Sequence, residues 1–242
     1  MIATSQEYFR ENHLPHGQVQ GTYGINQADL DLLAQVEVDW LPISTARVNL
    51  TPGDLTVKVY PLAKHPQQNF FKLNKGRWPQ ADNEIALDSQ LLDYYQDNQD
   101  LTVNLGDWID LTNKSKESAD DQAPHLKQER FKVVGFVESP IYFERTNRGN
   151  ESIDIFALST AEAIQADIYT DAFFWDRYLS DQKAYESSWE DRLKQDKEAI
   201  NKALDGRGEA KLSQLTQEAE EELAKQEAEL EQASSELESG EE

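Results

Sequence analysis

The sequence predicts an α+β core followed by a C-terminal helical arm, and two observations carry that reading. Up to about residue 180, aromatic and β-branched residues are mixed with glycine and proline in short runs separated by turn signals. Beyond it the composition changes: Trp189 is the last aromatic, and Glu, Lys, Gln, Ala and Leu take over. The expected division is a core over 1–180 and an acidic helical arm over 181–242.

The elements of the core follow in order. "TSQEYFRENHL" reads as a helix capped by Thr4 or Ser5, and "VQGTYGI" as a strand. "NQADLDLLAQV" reads as a helix, with Asn26 and Asp29 at capping-box spacing. "ARVNL" and "LTVKVY" flank Thr51-Pro52-Gly53-Asp54, whose Pro-Gly pair predicts a hairpin turn. "NEIAL" is a strand, and "SQLLDYY" a helix capped by Asp88 or Ser89. "DWIDL" and "RFKVVGFVES" are strands, with Gly135 marking a bulge or a close backbone approach. "SIDIFAL" is a strand, "STAEAIQA" a short helix and "DAFFWDRYL" the last strand. The charge-rich "SKESADDQAPHLKQE" has too few apolar residues to fill a core and reads as a solvated loop.

In the arm, Leu223, Leu230 and Leu237 recur every seven residues, with Ala219, Gln226 and Ala233 at the alternating position. From Glu209 to Glu242 there are twelve Glu and two Lys, so the helix repels itself. Either it pairs as half of a coiled-coil hairpin, or it is a disordered acidic tail.

The bulk numbers exclude several functions. The net charge of −23 opposes binding to nucleic acid and to anionic membrane surfaces. The absence of cysteine removes disulfides, thiolate catalysis and sulfur-ligated metals. No run approaches the roughly 18 apolar residues of a membrane span. The N-terminal stretch lacks a basic region followed by an apolar one, so the expectation is a cytosolic protein or a piece excised from a larger one.

A search for chemistry returns little. His13 and His16 have metal-site spacing, but Pro15 bars the helix that would present them together, and His65 and His125 stand alone. There is no nucleophile elbow, dinucleotide fingerprint or phosphate loop. The Asp120–Asp121 pair and the Glu220–Glu222 run fall in segments expected to be solvated, and no catalytic residue, metal or cofactor is expected. Strand alternation would put Phe173, Trp175 and Arg177 on one face and Phe174, Asp176 and Tyr178 on the other, as core or as a partner-binding face. Trp40 and Trp78, beside prolines, either cap a core edge or form a docking patch. Trp78 and Trp175 are the candidate partner-binding residues.

"GRWPQADNEIALD" resembles a segment of the extracellular domains of FtsX-like ABC transporter permeases, the group with a MacB-like periplasmic core domain. The resemblance rests on motifs in a fixed order: Gly76-Arg77, Pro79, Glu84-Ile85-Ala86-Leu87, Gly106-Asp107 with Ile109 and Leu111, and Val133-Val134-Gly135. "FVESPIYFERTNRGNESID" resembles the continuation in large Gram-positive members, which also carry a helical coiled coil after the core. Trp78 stands where a smaller aliphatic is common, and the arm is more acidic than the family's mixed Glu/Lys arms. The resemblance implies a mixed-sheet core on the extracellular face of a cell membrane and a non-enzymatic domain, with ATP hydrolysis in a cytosolic ATPase partner. It implies a role in transmitting conformational change or engaging an extracellular peptide, lipid or cell-wall protein. A sensor of cationic peptides or regulator of cell-wall hydrolases, and a stand-alone secreted adhesin or enzyme, are the alternatives. Within the motif the physics is that of a scaffold. Gly76 and Pro79 shape a turn into a strand whose Ile85 and Leu87 point inward, Glu84 caps or pairs locally, and Gly106 takes a positive φ.

Overall fold

The computed structural model describes residues 10–51, 53–63, 70–90, 92–93, 102–113, 123–142, 153–182 and 186–240, the backbone alone at 22, 181 and 233–240. Strands β1 (Gly17–Ile25), β2 (Asp39–Ile43), β3 (Ala46–Thr51), β4 (Leu55–Pro61), β5 (Lys72–Gly76) and β6 (Glu84–Asp88) come first, with helix α1 (Gln27–Leu33) after β1. Then follow β7 (Trp108–Asn113), β8 (His125–Leu126), β9 (Arg130–Glu138), β10 (Ile155–Ser159), β11 (Ile164–Gln165) and β12 (Tyr169–Trp175). Helices α2 (Arg177–Asp181), α3 (Ser187–Ala203) and α4 (Arg207–Gly240) complete the chain. The protein is α+β, with mixed sheets and a long C-terminal helix.

The large sheet runs β5-β9-β6-β10-β4-β3-β7, and β7 also pairs with β9. One edge of β9 pairs with β6; the other pairs with β7 at its start (Ile109↔Phe131) and β5 at its end (Gly76↔Gly135). Six strands therefore close into a ring, with β5 branching from it. Period-two alternation fills the ring: Val48, Leu50, Val57, Val59, Ile85, Leu87, Leu111, Phe131, Val133, Ile155 and Ala157 form one core. The intervening residues of β4, β6 and β10 point outward, where Tyr60, Ala86, Phe156 and Leu158 form a second core with Phe70, Phe71 and Phe173.

That second core is roofed by the antiparallel sheet β1-β12-β2. Phe173 and Ile43 face the ring, whereas Ala172 and Phe174 face α1 and α3 in a third cluster with Ile25, Leu33 and Ile200. The opposite-face expectation for Phe173 and Phe174 holds, and both pack as core.

Several expectations are corrected. Strand β12 ends at Trp175, because Asp176 caps α2 by accepting from the Tyr178 and Leu179 N–H groups; Arg177 and Tyr178 thus lie on a helix and not on strand faces. β2 and β5 were hidden in "DWLPI" and "KLNKG", which do not alternate. Within the charge-rich loop, His125–Leu126 pairs with Ile164–Gln165 and buries Leu126. The helix expected over 159–166 reduces to one 3-10 turn, Ala161–Ala163, followed by β11. Of the helix expected after Asp88, Ser89, Gln90, Leu92 and Asp93 are helical, and most of the helix expected near residue 4 lies outside the described residues.

The expected tail helix is present, broken at Leu204–Gly206, with Gly206 at φ +73°. Packing continues past the compositional change, since Ile200 is buried and Leu193 and Leu204 pack beside it on the small sheet's helical face.

Candidate functional site

Motif residues scattered over sixty positions meet on four residues of β9. Gly76 pairs with Gly135, and the Arg77 N–H donates to the Val134 carbonyl (2.9 Å). The Gly106 N–H donates to the Val133 carbonyl (2.7 Å), and the Val133 N–H donates to the Asp107 carbonyl (2.9 Å). Glu84 and Ile85 pair with Lys132 and Val133, and the register then skips Val134, a β-bulge. Glycine is required where backbones crowd. A Cβ on Gly135 would strike the Arg77 carbonyl, and one on Gly76, at φ +82°, would strike the Val134 carbonyl. Gly106, at φ +95°, faces open space.

The turn between β5 and β6 is held by charge. Arg77 donates from both terminal nitrogens to the two Glu84 carboxylate oxygens (2.7 and 2.5 Å) and to the Trp78 carbonyl (3.1 Å). The Gln80 N–H also donates to Glu84 (3.0 Å). The Arg77 hydrogen bond, helped by the Gln80 amide, holds the Glu84 carboxyl at about 2 against the opposing effect of burial. Pro79 is buried in this turn, and Asp107 accepts from the Asn104 N–H (2.8 Å) to close the next one.

Trp78 and Trp175 both pack against the second core. Trp175 donates its indole N–H to the His13 carbonyl (3.0 Å). Trp78 lines a cleft of about 550 Å³ together with Phe70, Phe71, Lys72, Glu11 and Glu138. Ser139 belongs to the same cleft, its buried hydroxyl without a hydrogen-bond partner among the described residues.

Two buried charged groupings escaped the sequence. Lys58 points outward from the ring and meets Asp171 of β12 at 3.4 Å, both side chains nearly inaccessible. Asp171 also accepts from Gln18, from Gln20 (3.0 Å) and from the hydroxyls of Thr170 (2.5 Å) and Thr45 (3.3 Å). The second grouping docks α3. Arg192 donates to Asp176 (2.6 Å) and pairs with Asp196 (3.3 Å). Burial alone would raise the Asp176 carboxyl, but Arg192 and the Tyr178 N–H outweigh it and hold it below the usual range. Burial and the neighbouring Asp176 charge push Asp196 up to about 6. The available signal was positional: Asp196 occupies a buried site within the stripe of Leu193, Ile200 and Leu204.

His16 accepts from the Asp176 N–H (2.9 Å) and packs edge-on to Trp189; burial lowers its pKa against the pull of the Asp176 carboxylate. His13 contributes its carbonyl, not its ring, to Trp175, and His65 lies outside the described residues. Among the described residues no three of His, Cys, Asp and Glu gather to hold a metal ion, and no helix is long and apolar enough to cross a membrane.

No family model matches the chain, and no curated protein matches it. Among solved structures it is similar to the extracellular domain of the noncanonic ABC-type transporter YknZ from Gram-positive bacteria. That likeness covers 78% of this chain and 87% of the other, at 10% identity and a TM-score of 0.39. Residue roles therefore follow from the geometry above.

Proposed function

We propose that this chain is an extracellular domain of an FtsX-like ABC transporter permease, relaying conformational change between a membrane part and an extracellular partner. ATP hydrolysis then belongs to a separate cytosolic subunit. The observation that carries the reading is the convergence of the motif segments, Gly76 to Leu87, Gly106–Asp107 and Val133–Gly135, on one interlocked stretch of β9. Segments that carry the family resemblance in sequence thus form one structural unit.

The architecture suits a relay. A closed ring deforms little, because each strand is hydrogen-bonded on both sides. The ring is fastened to the small sheet through Lys58–Asp171, and the small sheet to α3 through Asp176–Arg192. Helix α4 begins past the far end of α3, where Arg207 is tied to Asp29 of α1, and runs for 34 residues, about 50 Å at 1.5 Å per residue. A displacement at one end of such an assembly is passed on rather than absorbed.

A second reading is favoured by the Trp78 cleft. Trp78 with Glu11 and Glu138, two carboxylates against the single ammonium of Lys72, fits a Lys or Arg side chain of an extracellular peptide, by cation–π contact and charge. Titration with a cationic peptide at low and high salt tests it: loss of binding in Trp78→Ala supports it, and equal binding by that variant rejects it.

The chain contributes no cysteine, so Glu221→Cys in the parent protein, with any cysteine outside this chain replaced by serine, gives a clean reporter on exposed α4. Labelling by a membrane-impermeant maleimide on intact cells, with the protein in the membrane pellet, is the expected result. Labelling only after permeabilisation, or recovery in the soluble fraction, rejects the proposal.

A further inference from the structure

We infer that α4 is a docking helix for a basic amphipathic helix and is built to refuse a second copy of itself. The seam is exposed: Leu212, Leu223 and Leu230 are 55%, 58% and 70% accessible on a helix that leaves the folded body. With Thr216, Leu223, Leu230 and Leu237 at heptad position a, Leu212, Ala219, Gln226 and Ala233 fall at d. The flanking positions decide the partner. At e stand Ser213, Glu220, Glu227 and Ser234, and at g stand Leu215, Glu222, Glu229 and Glu236. Every charged flank is therefore Glu, whereas Lys211 and Lys225 both fall at c, away from the seam.

Charge complementarity follows from that arrangement. In a pair of identical helices, parallel or antiparallel, flanks oppose flanks, and Glu would face Glu along the seam. A helix carrying Lys or Arg at its own e and g positions would instead meet an opposite charge at each of these sites. The small d residue Ala219 admits a large apolar side chain from such a partner. Within the helix, Gln214, Gln217 and Gln226 hydrogen-bond to Glu218, Glu221 and Glu222 respectively. Along the rest of the flank, Glu220, Glu227 and Glu229 form no ion pair among the described residues.

The inference does not depend on which side of a membrane the chain occupies. Its test uses the whole chain with two synthetic four-heptad peptides sharing one leucine seam, one with Lys and one with Glu at e and g. Fluorescence anisotropy should show the Lys peptide binding at least about tenfold tighter than the Glu peptide. Leu223→Asp with Leu230→Asp should abolish that binding, separating seam pairing from general attraction to an anionic chain; both sites are exposed, so the fold is spared. Converting Glu220, Glu222, Glu227 and Glu229 to Lys should reverse the peptide preference. Binding that survives the leucine substitutions overturns the inference, as does equal binding of both peptides or no binding. Sedimentation showing a dimer of the unsubstituted chain that the same leucine substitutions dissolve also overturns it, because the seam's occupant is then a second copy.

Discussion

Arg207 reaches back across 178 positions to Asp29, its Nε donating to the carboxylate at 2.6 Å. Asp29 thereby serves two elements. Its other oxygen accepts from the Asn26 N–H (3.0 Å) in the capping box of α1, and its own N–H donates to Asn26 (3.1 Å). The first residue of α4 is thus tied to the first turn of α1, just past the Gly206 break.

Truncation should expose that double duty. Arg207→Ala should cost about 1 kcal/mol, the worth of one part-buried hydrogen bond. Asp29→Ala, which also removes a cap, should cost about 2 kcal/mol. Adding Arg207→Ala to Asp29→Ala should cost almost nothing more. Urea denaturation of the three variants checks this, and additive losses would show that the two side chains are not coupled.

The Lys58–Asp171 pair should respond asymmetrically. Asp171→Ala removes an acceptor on which two glutamine amides, two hydroxyls and an ammonium converge, and should cost about 3–5 kcal/mol. Lys58→Met keeps an apolar stem beside Tyr60 and leaves Asp171 its neutral donors, so about 1–2 kcal/mol is expected. Equal losses in chemical denaturation would contradict the view that the neutral donors, and not the ammonium, hold the carboxylate.

The motif glycines should separate by mechanism. Gly135→Ala drives a methyl group into the Arg77 carbonyl where β5 branches from the ring, and should cost at least about 3 kcal/mol. Gly106→Ala meets nothing within 4 Å and suffers only its positive φ, for about 1 kcal/mol. Comparable melting temperatures for the two variants would mean that the close approach at Gly135 is not the reason for glycine there.

Legibility in the sequence followed local regularity. The β3–β4 hairpin, β7 and β9 alternate or carry Pro-Gly and Gly signals, whereas β6 and β10 are short apolar runs buried on both faces, and each strand overlaps the segment read for it. β5 and β2 have no such pattern, because "KLNKG" branches off the ring as an exposed edge and "DWLPI" is held by register to β12. The polar clusters were illegible for a different reason. Lys58 looks like the solvent-facing residue of an alternating strand, and only the small sheet lying over the ring makes it a buried one. The spacing of Gly76, Glu84, Gly106 and Gly135 named the motif, but β9 as their common meeting point is a matter of topology, which no spacing encodes.

Asp196 should give stability a pH dependence of unusual sign. Its carboxyl titrates near 6 in the folded chain against an ordinary 3.8, so between those values the folded state holds more protons than the unfolded one. The stabilising contribution of the protonated form is therefore complete below about pH 4 and is lost as pH rises through about 6. Glu84 has the opposite sign: held at about 2, it contributes stability above its ordinary value that disappears as pH falls towards 2. Asp196→Asn keeps the shape and removes the charge, while Arg192 retains Asp176. The variant should be more stable than the parent near neutral pH, by at most about 3 kcal/mol for a carboxyl raised from 3.8 to about 6 at 1.4 kcal/mol per unit. It should match the parent near pH 4, while the acid limb below about pH 4.5 stays unchanged. Thermal denaturation across this range checks it. A variant less stable than the parent at neutral pH would mean that the Arg192–Asp196 attraction outweighs burial and the repulsion from Asp176.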